Sequence, residues 1–204
     1  MKIYILNYGL GNIRSIQNAV HKCGYKSELL SKDKRIDCDL LIIPGVGSFS
    51  EASKIINNKF KIICKLIKEN KFFLLGICLG MQIMAEKGNE NGSFLGLGIF
   101  KGDVKKLPKT IQKPIIGWKK TILKNSKLSY LKKYNNSKFY HVHSYYLNSK
   151  NNIEAYIVES KLKIPSIIYK KNYLGLQFHP EKSGPKGLRL LKDTIRFAKK
   201  NNDS

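Results

Sequence analysis

The sequence predicts an α/β fold, in which a central, mostly parallel sheet is flanked by helices and gains antiparallel strands in its second half. Two observations carry this prediction. Before about residue 90, short apolar runs alternate with stretches whose apolar residues recur at steps of three and four, as in parallel sheets with crossover helices. After about Ile99, short β-rich runs follow one another instead.

The predicted elements of the first half are separated by glycine and proline, which interrupt regular structure. Gly9 and Gly11 separate the first strand from the first helix, and Pro44-Gly45-Val46-Gly47 ends the second strand. In chain order we predict a strand at 2–7, a helix at 13–20, a buried strand at 40–43, one helix carrying Ile55, Ile56, Phe60, Ile63 and Ile67 on one face and ending near Lys71, a strand at 72–77 and a helix at 79–86.

The second half is predicted to consist of strands and one closing helix. Pro185 opens that helix, because proline fits the first helical turn. No repeat or linker-like segment interrupts the chain, so one domain over residues 1–204 is predicted. The predicted strands are 139–147, 153–158, 167–170 and 173–177, and the apolar side of the last helix is formed by Leu188, Leu191, Ile195 and Ala198.

Composition excludes several classes of protein. The chain is 42% hydrophobic and 10% aromatic, which is enough for a packed core and excludes a disordered protein. Its apolar runs are far shorter than the roughly 20 residues that span a bilayer, and its first residues do not resemble a secretory signal, so we expect a cytoplasmic protein without membrane contact. The four cysteines lack C-x-x-C spacing, so neither a metal site nor a cofactor is predicted.

The charge is strongly basic, with 38 Lys and Arg against 14 Asp and Glu and a formal net charge of +24. Such an excess suggests an anionic partner such as nucleic acid. Only four of the basic residues are arginine, the side chain best suited to reading bases and phosphates, so nucleic-acid binding is a remote alternative. Residues 101–138 contain twelve lysines and a single acid, Asp103, so this segment could instead face an acidic partner.

A nucleophile is predicted at Cys78, in Gly76-Ile77-Cys78-Leu79-Gly80. A G-x-nucleophile-x-G sequence between a strand and a helix forms a tight turn that exposes the central side chain at the carboxyl edge of the sheet, where the sites of α/β proteins lie. The other three cysteines have no such setting, and we interpret them as structural residues.

A base for this thiol is predicted at His179, in Phe178-His179-Pro180-Glu181. Pro180 favours an extended conformation at His179, which places Glu181 on the same side as the imidazole so that it can orient the ring. Of the remaining histidines, His21 is expected on a helix surface, whereas His141 and His143 alternate in a strand and are interpreted as structural.

An oxyanion hole is predicted where two turns meet at the carboxyl edge of the sheet. The glycines of Pro44-Gly45-Val46-Gly47 free main-chain N–H groups to face a developing negative charge, and the N–H of Leu79 would be a second donor. If Cys78 and His179 are not catalytic, this segment is simply an ordinary turn.

Together these motifs resemble the class I, triad-type glutamine amidotransferases. The resemblance rests on PGVGSF at 44–49, GICLGMQ at 76–82, HVHSYY at 141–146 and QFHPEKS at 177–183. More narrowly, NYGLGNIRS at 7–15, the Gly117-Trp118 pair and the length of the chain resemble the glutaminase subunits of imidazole glycerol phosphate synthase.

The resemblance implies that the chain hydrolyses L-glutamine through a Cys78-His179-Glu181 triad and passes the ammonia to a (β/α)8-barrel cyclase subunit in a 1:1 heterodimer of histidine biosynthesis. It also implies that activity stays weak until the partner docks and segment 44–47 rearranges. By the same resemblance, glutamine would be held by Gln82, Ser144 and Tyr145, the oxyanion hole would contain Gly47 and Leu79, and the partner interface would contain Asn12, Trp118 and Lys182.

The sequence departs from the family pattern PHxGWN, because Ile115 and Lys119 stand where the family usually has His and Asn. These departures leave the triad intact but leave open which barrel docks. A paralogous glutaminase that supplies ammonia for amidation of a surface-polysaccharide sugar is therefore an alternative. A cysteine hydrolase or peptidase on the same fold is a further one, which Gln82 and the HSY segment disfavour.

Overall fold

A computed structural model of the protein describes residues 1–124 and 126–202. Its strands are β1 (Ile3–Leu6), β2 (Glu28–Leu30), β3 (Leu40–Ile43), β4 (Phe73–Ile77), β5 (Ala85–Gly88), β6 (Phe94–Leu95), β7 (Phe100–Lys106), β8 (Ile115–Lys120), β9 (Ile122–Leu123), β10 (Lys138–His143), β11 (Tyr145–Asn148), β12 (Ile153–Glu159), β13 (Leu162–Lys170) and β14 (Tyr173–Leu176). Its helices are α1 (Ile13–Lys22), α2 (Phe49–Lys59), α3 (Lys61–Lys68), α4 (Leu79–Ile83) and α5 (Gly184–Asn202), with 3₁₀ turns at Ser129–Tyr134 and Pro180–Lys182.

The central sheet has eight strands in the order β2-β1-β3-β4-β14-β13-β12-β9. The pairs from β2 to β14 are parallel, and the pairs from β14 to β9 are antiparallel. The predicted α/β fold is therefore confirmed, together with antiparallel additions from the second half of the chain. The prediction that residues 1–204 form one domain stays a prediction.

Two smaller sheets were not predicted. The β8 and β10 strands pair with each other, and the other sheet has the order β11-β7-β5-β6. The prediction of one strand over 139–147 is wrong, because the chain changes sheets at Ser144. Residues before Ser144 pair with β8, whereas those after it pair with β7.

The predicted helix at 79–86 is too long, since α4 ends at Ile83 and Ala85 already belongs to β5. The reason is a competing donor: the carbonyl of Ile83 accepts from the N–H of Leu97 at 2.8 Å, and that of Ala85 accepts from Gly98 at 3.0 Å. Tertiary hydrogen bonds thus replace the bonds that would continue the helix.

The helix predicted over 55–67 is in fact two helices, α2 and α3, which meet at Phe60 with φ −126° and ψ 47°. Asp33 explains the interruption. Its carboxylate accepts from the N–H groups of Ile62 and Ile63 at 2.9 and 3.0 Å, so it satisfies the start of a new helix.

Both faces of the central sheet are covered, as the apolar strands require. Leu40 and Ile42 of β3 pack on the side of α1 and α5, whereas Leu41 and Ile43 pack on the side of α2 and α3. The parallel strands all end at one edge of the sheet, and the segments that follow β1, β3, β4 and β14 meet there. No helix in the described part of the chain is long and apolar enough to cross a membrane.

Candidate active site

Cys78 stands on a sharp turn between β4 and α4, at φ +52° and ψ −106°, a conformation that a non-glycine residue adopts only under strain. Two glycines make the turn possible. A Cβ on Gly80 would lie 1.8 Å from the carbonyl oxygen of Ile43, and one on Gly76 would lie 2.6 Å from that of Gly80. The close approach of β4, α4 and β3 therefore depends on glycine at both places.

His179 and Glu181 form a buried pair next to this turn. The Nδ1 atom of His179 lies 2.8 Å from Oε1 of Glu181, and both side chains are 2% exposed. The main chain is held on either side, because the N–H of His179 donates to Tyr140 and its carbonyl accepts from the Ser183 hydroxyl at 2.6 Å. The predicted His-x-Glu arrangement is present, although Glu181 lies in a 3₁₀ turn.

The other ring nitrogen of His179, Nε2, is buried and makes no regular hydrogen bond to any described residue, and Cys78 is the thiol beside it. Burial lowers the pKa of His179, but the neighbouring Cys78 and the hydrogen bond to Glu181 raise it, to about 10. At neutral pH the ring is therefore an imidazolium between a sulfur and a carboxylate, and it can donate a proton from Nε2.

A cavity of about 350 Å³ opens above Cys78. Five residues to which the sequence analysis gave a glutamine or oxyanion role line it: Gly47, Leu79, Gln82, Ser144 and Tyr145. Glu90, which no sequence motif indicated, brings a carboxylate to the wall, and its Oε2 accepts from the N–H of Phe49 at 2.6 Å. The site thus combines a thiol, a nearby imidazolium and one acidic group.

The predicted oxyanion donor on Leu79 is already engaged. Its main-chain N–H donates to the carbonyl oxygen of Gly45 at 3.4 Å. The Tyr8 hydroxyl holds the same segment, since it donates to the carbonyl of Pro44 at 2.7 Å. Gly47, at φ +130°, lies at the cavity end of this segment.

Below the cavity, a row of buried polar groups leads to the sulfur. The Nε2 atom of Gln82 lies 2.9 Å from the carbonyl oxygen of Tyr145 and 3.2 Å from Oε1 of Gln177, whose Nε2 is 3.7 Å from the Cys78 sulfur. The Nδ1 atom of His143 lies 2.9 Å from the same carbonyl. Its Nε2 lies 3.2 Å from Nδ1 of His141.

Comparison with known proteins decides the family. The model of the family "Glutamine amidotransferase class-I" matches residues 4–197. The chain belongs to the class I glutamine amidotransferase family. The "Imidazole glycerol phosphate synthase subunit HisH" of Caldanaerobacter subterraneus is 41% identical over 196 residues, covering 94% of this chain and 96% of the relative. The protein of the same name from Methanocaldococcus jannaschii is 39% identical, covering 96% and 99%.

Solved structures agree on the fold of this glutamine amidotransferase. A "crystal structure of glutamine amidotransferase" superimposes with a TM-score of 0.72 at 17% identity and covers 97% of this chain and 98% of that chain. The "structure of PurLQS from Thermotoga maritima" gives a TM-score of 0.76 at 18% identity and covers 96% and 98%. The predicted family and its fold are thus confirmed, with HisH subunits among the curated relatives.

The three residues predicted at a partner interface lie on, or next to, elements of this glutamine amidotransferase that are linked by contacts with one another. Asn12 precedes α1, which contacts the 3₁₀ turn that carries the exposed Lys182. Trp118 is 51% exposed, packs edge-on against Tyr140 and approaches Gly184 just beyond that turn.

The two departures from the family pattern lie behind this surface. Ile115 is buried in a small apolar cluster with Ile157 and Ile164. Lys119 forms an ion pair with Glu159 at 2.8 Å, with the two side chains 29% and 22% exposed. Ile115 and Lys119 are therefore not part of the outward apolar surface formed by Trp118 and the 58% exposed Ile116.

All four cysteines are free thiols. Within the described residues, no group of three or more His, Cys, Asp or Glu side chains is arranged to hold a metal ion.

Proposed function

We propose that the chain is the glutaminase of a two-subunit synthase, in which Cys78, His179 and Glu181 act as a catalytic triad on L-glutamine. One observation carries the proposal: the cavity above the strained Cys78 has an imidazolium beside the sulfur and an acidic group, Glu90, on its wall. A free α-amino acid with a neutral side-chain amide fits these groups, because its ammonium can pair with the carboxylate while its amide reaches the sulfur.

The reaction proceeds in two steps that leave the triad unchanged. The thiolate of Cys78 attacks the amide carbon, a carbon–sulfur bond forms, and the carbon–nitrogen bond breaks as the imidazolium of His179 gives a proton to the departing ammonia. Water then attacks the thioester with neutral His179 as its base, so that glutamate leaves and the sulfur returns to the thiolate. Glu181 keeps the imidazole oriented through its 2.8 Å bond to Nδ1.

The substrate would be held by the residues that line the cavity. Gln82 uses Nε2 within the protein, which leaves Oε1 to accept a hydrogen bond from glutamine. The carbonyl of Tyr145 already accepts two hydrogen bonds, so we assign glutamine binding there to the other groups of Ser144 and Tyr145. Glu90 would bind the α-ammonium.

Replacement of the nucleophile tests this assignment. We expect Cys78→Ala to abolish glutamate release while leaving the circular dichroism spectrum unchanged. Cys64→Ala is the matched control, because Cys64 lies on α3 outside the cavity, and it should keep full activity. Glutamate release by a folded Cys78→Ala protein would exclude the triad.

The proposed partner is a (β/α)8-barrel cyclase subunit that binds 1:1 and receives the ammonia. The bond from the Leu79 N–H to Gly45 supports a role for this partner, because that donor cannot face an oxyanion until segment 44–47 moves. One oxyanion donor is typically worth a factor of about 100 or more in kcat. We therefore expect the barrel to stimulate glutamate release at least about 100-fold.

The interface is proposed to include Asn12, Trp118 and Lys182. Trp118→Ala should weaken binding of the barrel by about tenfold or more, since exposed tryptophans are frequent anchors of interfaces. Leu95→Ala, at a 72% exposed residue of β6, is the control and should bind normally. Titration by calorimetry gives both affinity and stoichiometry, and normal binding by Trp118→Ala would remove this surface from the interface.

The proposed pathway is histidine biosynthesis, because curated relatives at 34–41% identity carry the name of imidazole glycerol phosphate synthase. Complementation of a histidine auxotroph that lacks its own glutaminase subunit tests this choice, with the cognate barrel supplied on the same plasmid. Growth supports it. Failure to grow, with soluble and active protein, would instead favour ammonia supply to a surface-polysaccharide sugar.

A further inference from the structure

We propose that Gln177 holds the reacting sulfur of Cys78 by donating a hydrogen bond from its carboxamide, and that the main-chain carbonyl of Tyr145 fixes the orientation of this amide through Gln82. The inference rests on the proposed function, in which Cys78 is the nucleophile, and it adds a thiolate-holding residue outside the Cys-His-Glu triad.

Gln177 is placed beside the sulfur by the register of the central sheet. It directly follows β14, whose Leu176 lies opposite Ile77 of β4, and the N–H of Cys78 donates to Leu176 at 2.7 Å. The side chain of Gln177 is fully buried, at 0% exposure. A buried carboxamide is costly unless it is hydrogen-bonded, so its partners determine why it can stand there.

Those partners leave one orientation for the amide. A main-chain carbonyl only accepts, so the Gln82 atom 2.9 Å from the oxygen of Tyr145 has to be Nε2. The same Nε2 lies 3.2 Å from Gln177, and the atom it meets there has to be Oε1. The N–H group of Gln177 is therefore the group that faces the Cys78 sulfur, at 3.7 Å.

A second row of hydrogen bonds, through two histidines, ends at the same carbonyl of Tyr145 and agrees with these donor and acceptor assignments. His143 faces the Tyr145 oxygen through Nδ1, which therefore carries a proton. Burial lowers the pKa of His143 to about 4, so its Nε2 is unprotonated at neutral pH and accepts from Nδ1 of His141. Each hydrogen bond in the row then has a defined donor and a defined acceptor.

Two groups that can donate a hydrogen bond thus lie beside the sulfur: the amide of Gln177 at 3.7 Å and the imidazolium of His179. Hydrogen bonds to an anionic acceptor stabilise the anion relative to the neutral form. Removal of the amide would therefore take one hydrogen-bond donor away from the thiolate. The buried hydroxyl of Tyr8 is a further titratable group whose charge interacts with Cys78.

The pH dependence of alkylation by iodoacetamide tests the proposal without glutamine. The chain has four cysteines, so the modified Cys78 peptide is quantified by mass spectrometry. The variants are Gln177→Met, which keeps the length of the side chain but has no donor, and Gln177→Glu, which places a carboxylate beside the sulfur. Gln17→Glu on α1 is the control, since Gln17 lines no part of the cavity.

We expect the pH of half-maximal Cys78 alkylation to rise by about one unit in Gln177→Met, a tenfold change in the thiolate equilibrium, because a hydrogen bond to a charged acceptor contributes at least that much. It should rise further in Gln177→Glu. The limiting rate at high pH should not fall in Gln177→Met, which separates loss of the donor from general damage. The control should match the wild type.

The proposal is overturned if a folded Gln177→Met protein has the same pH of half-maximal Cys78 alkylation as the wild type. If Gln177→Glu does not fold, the result for Gln177→Met is sufficient by itself. The result is independent of the proposed function. A shift in a chain without glutaminase activity would support the role of Gln177 and contradict the function, whereas full glutaminase activity without a shift would contradict only the role of Gln177.

Discussion

The main-chain N–H of Leu79 donates to the carbonyl oxygen of Gly45, so the residue after the proposed nucleophile is bonded to the segment that is proposed to help it bind an oxyanion. Close packing reinforces this contact, because a Cβ on Gly45 would lie 2.6 Å from that of Leu79 and 2.8 Å from the Tyr8 hydroxyl. Tyr8 also bonds the carbonyl of Pro44 at 2.7 Å. One of the proposed oxyanion donors is thus occupied within the chain itself.

Removal of the Tyr8 hydroxyl should loosen this segment. We expect Tyr8→Phe to raise the basal rate of glutamate release by the isolated chain several-fold and to reduce the stimulation by the barrel by the same factor. One hydrogen bond contributes about 1 kcal/mol, which sets the size of the effect. Steady-state glutaminase assays with and without the barrel measure both rates. A basal rate equal to or below that of the wild type would show that Tyr8 does not restrain segment 44–47.

The acidic wall of the cavity should determine affinity for the substrate. We expect Glu90→Gln to raise KM for glutamine about tenfold or more with a smaller change in kcat, because a contact with the α-ammonium is present in both ground and transition states. Glu86→Gln is the control, since Glu86 precedes the cavity on β5 and its carboxylate accepts from the N–H of Gly102. An unchanged KM in Glu90→Gln would place the ammonium elsewhere.

Local sequence was sufficient for the parts of the site that lie on single turns. Gly76 and Gly80 around Cys78 predicted the strained elbow, because only glycine permits the approach of Gly80 to the Ile43 carbonyl. His179 and Glu181 are two residues apart, so their pairing also follows from local geometry. Parallel strands end at one edge of a sheet, which explains why distant motifs could be brought together correctly.

Contacts between segments that are distant in the sequence could not be predicted from local sequence patterns. Glu90 lies in a bend after β5, with no spacing that marks it as a ligand, and only the fold brings it to the cavity. The end of α4 at Ile83 was missed because its competing donor comes from Leu97. The alternation of His141 and His143 in a strand was visible in the sequence, and both were interpreted as structural. The hydrogen bond between the two rings was not predicted.

The raised pKa of His179 predicts how stability changes at alkaline pH. Its folded value of about 10 lies above its ordinary value of 6.5, so the folded state binds the extra proton between these limits. This contribution is fully present below about pH 6.5 and is lost as pH rises through about 10. One proton corresponds to a slope of at most about 1.4 kcal/mol per pH unit.

Denaturant unfolding between pH 7 and pH 10 measures this contribution as a difference between proteins. We expect the free energy of unfolding to fall more steeply in the wild type than in His179→Gln over this range. His21→Gln, at an exposed residue of α1, should follow the wild type. Parallel curves for the wild type and His179→Gln would contradict an imidazolium held between Cys78 and Glu181.

The buried pair of His141 and His143 predicts the opposite behaviour in acid. Burial is the main cause that lowers the pKa of both rings, with the charges of Lys119 and His179 acting in the same direction, and the value for His143 falls to about 4. Between pH 6.5 and pH 4, therefore, these two histidines bind protons in the unfolded chain but not in the folded chain. The contribution of this histidine pair to stability is fully present above about pH 6.5 and is lost as pH falls, at up to about 2.8 kcal/mol per pH unit for two protons.

His141→Phe separates the two rings. Phenylalanine fills the space beside Phe178, whose ring lies 5.6 Å from that of His141, but it gives no hydrogen bond to His143. We expect a loss of about 1 kcal/mol at pH 7.5 and a loss of up to half of the histidine contribution to the acid slope, because one fewer proton is taken up on unfolding. Urea unfolding at pH 5 and pH 7.5 gives both quantities, with His21→Phe as the control at an exposed histidine. If His141→Phe kept the full acid slope of the wild type, the buried pair would not be the source of the acid sensitivity.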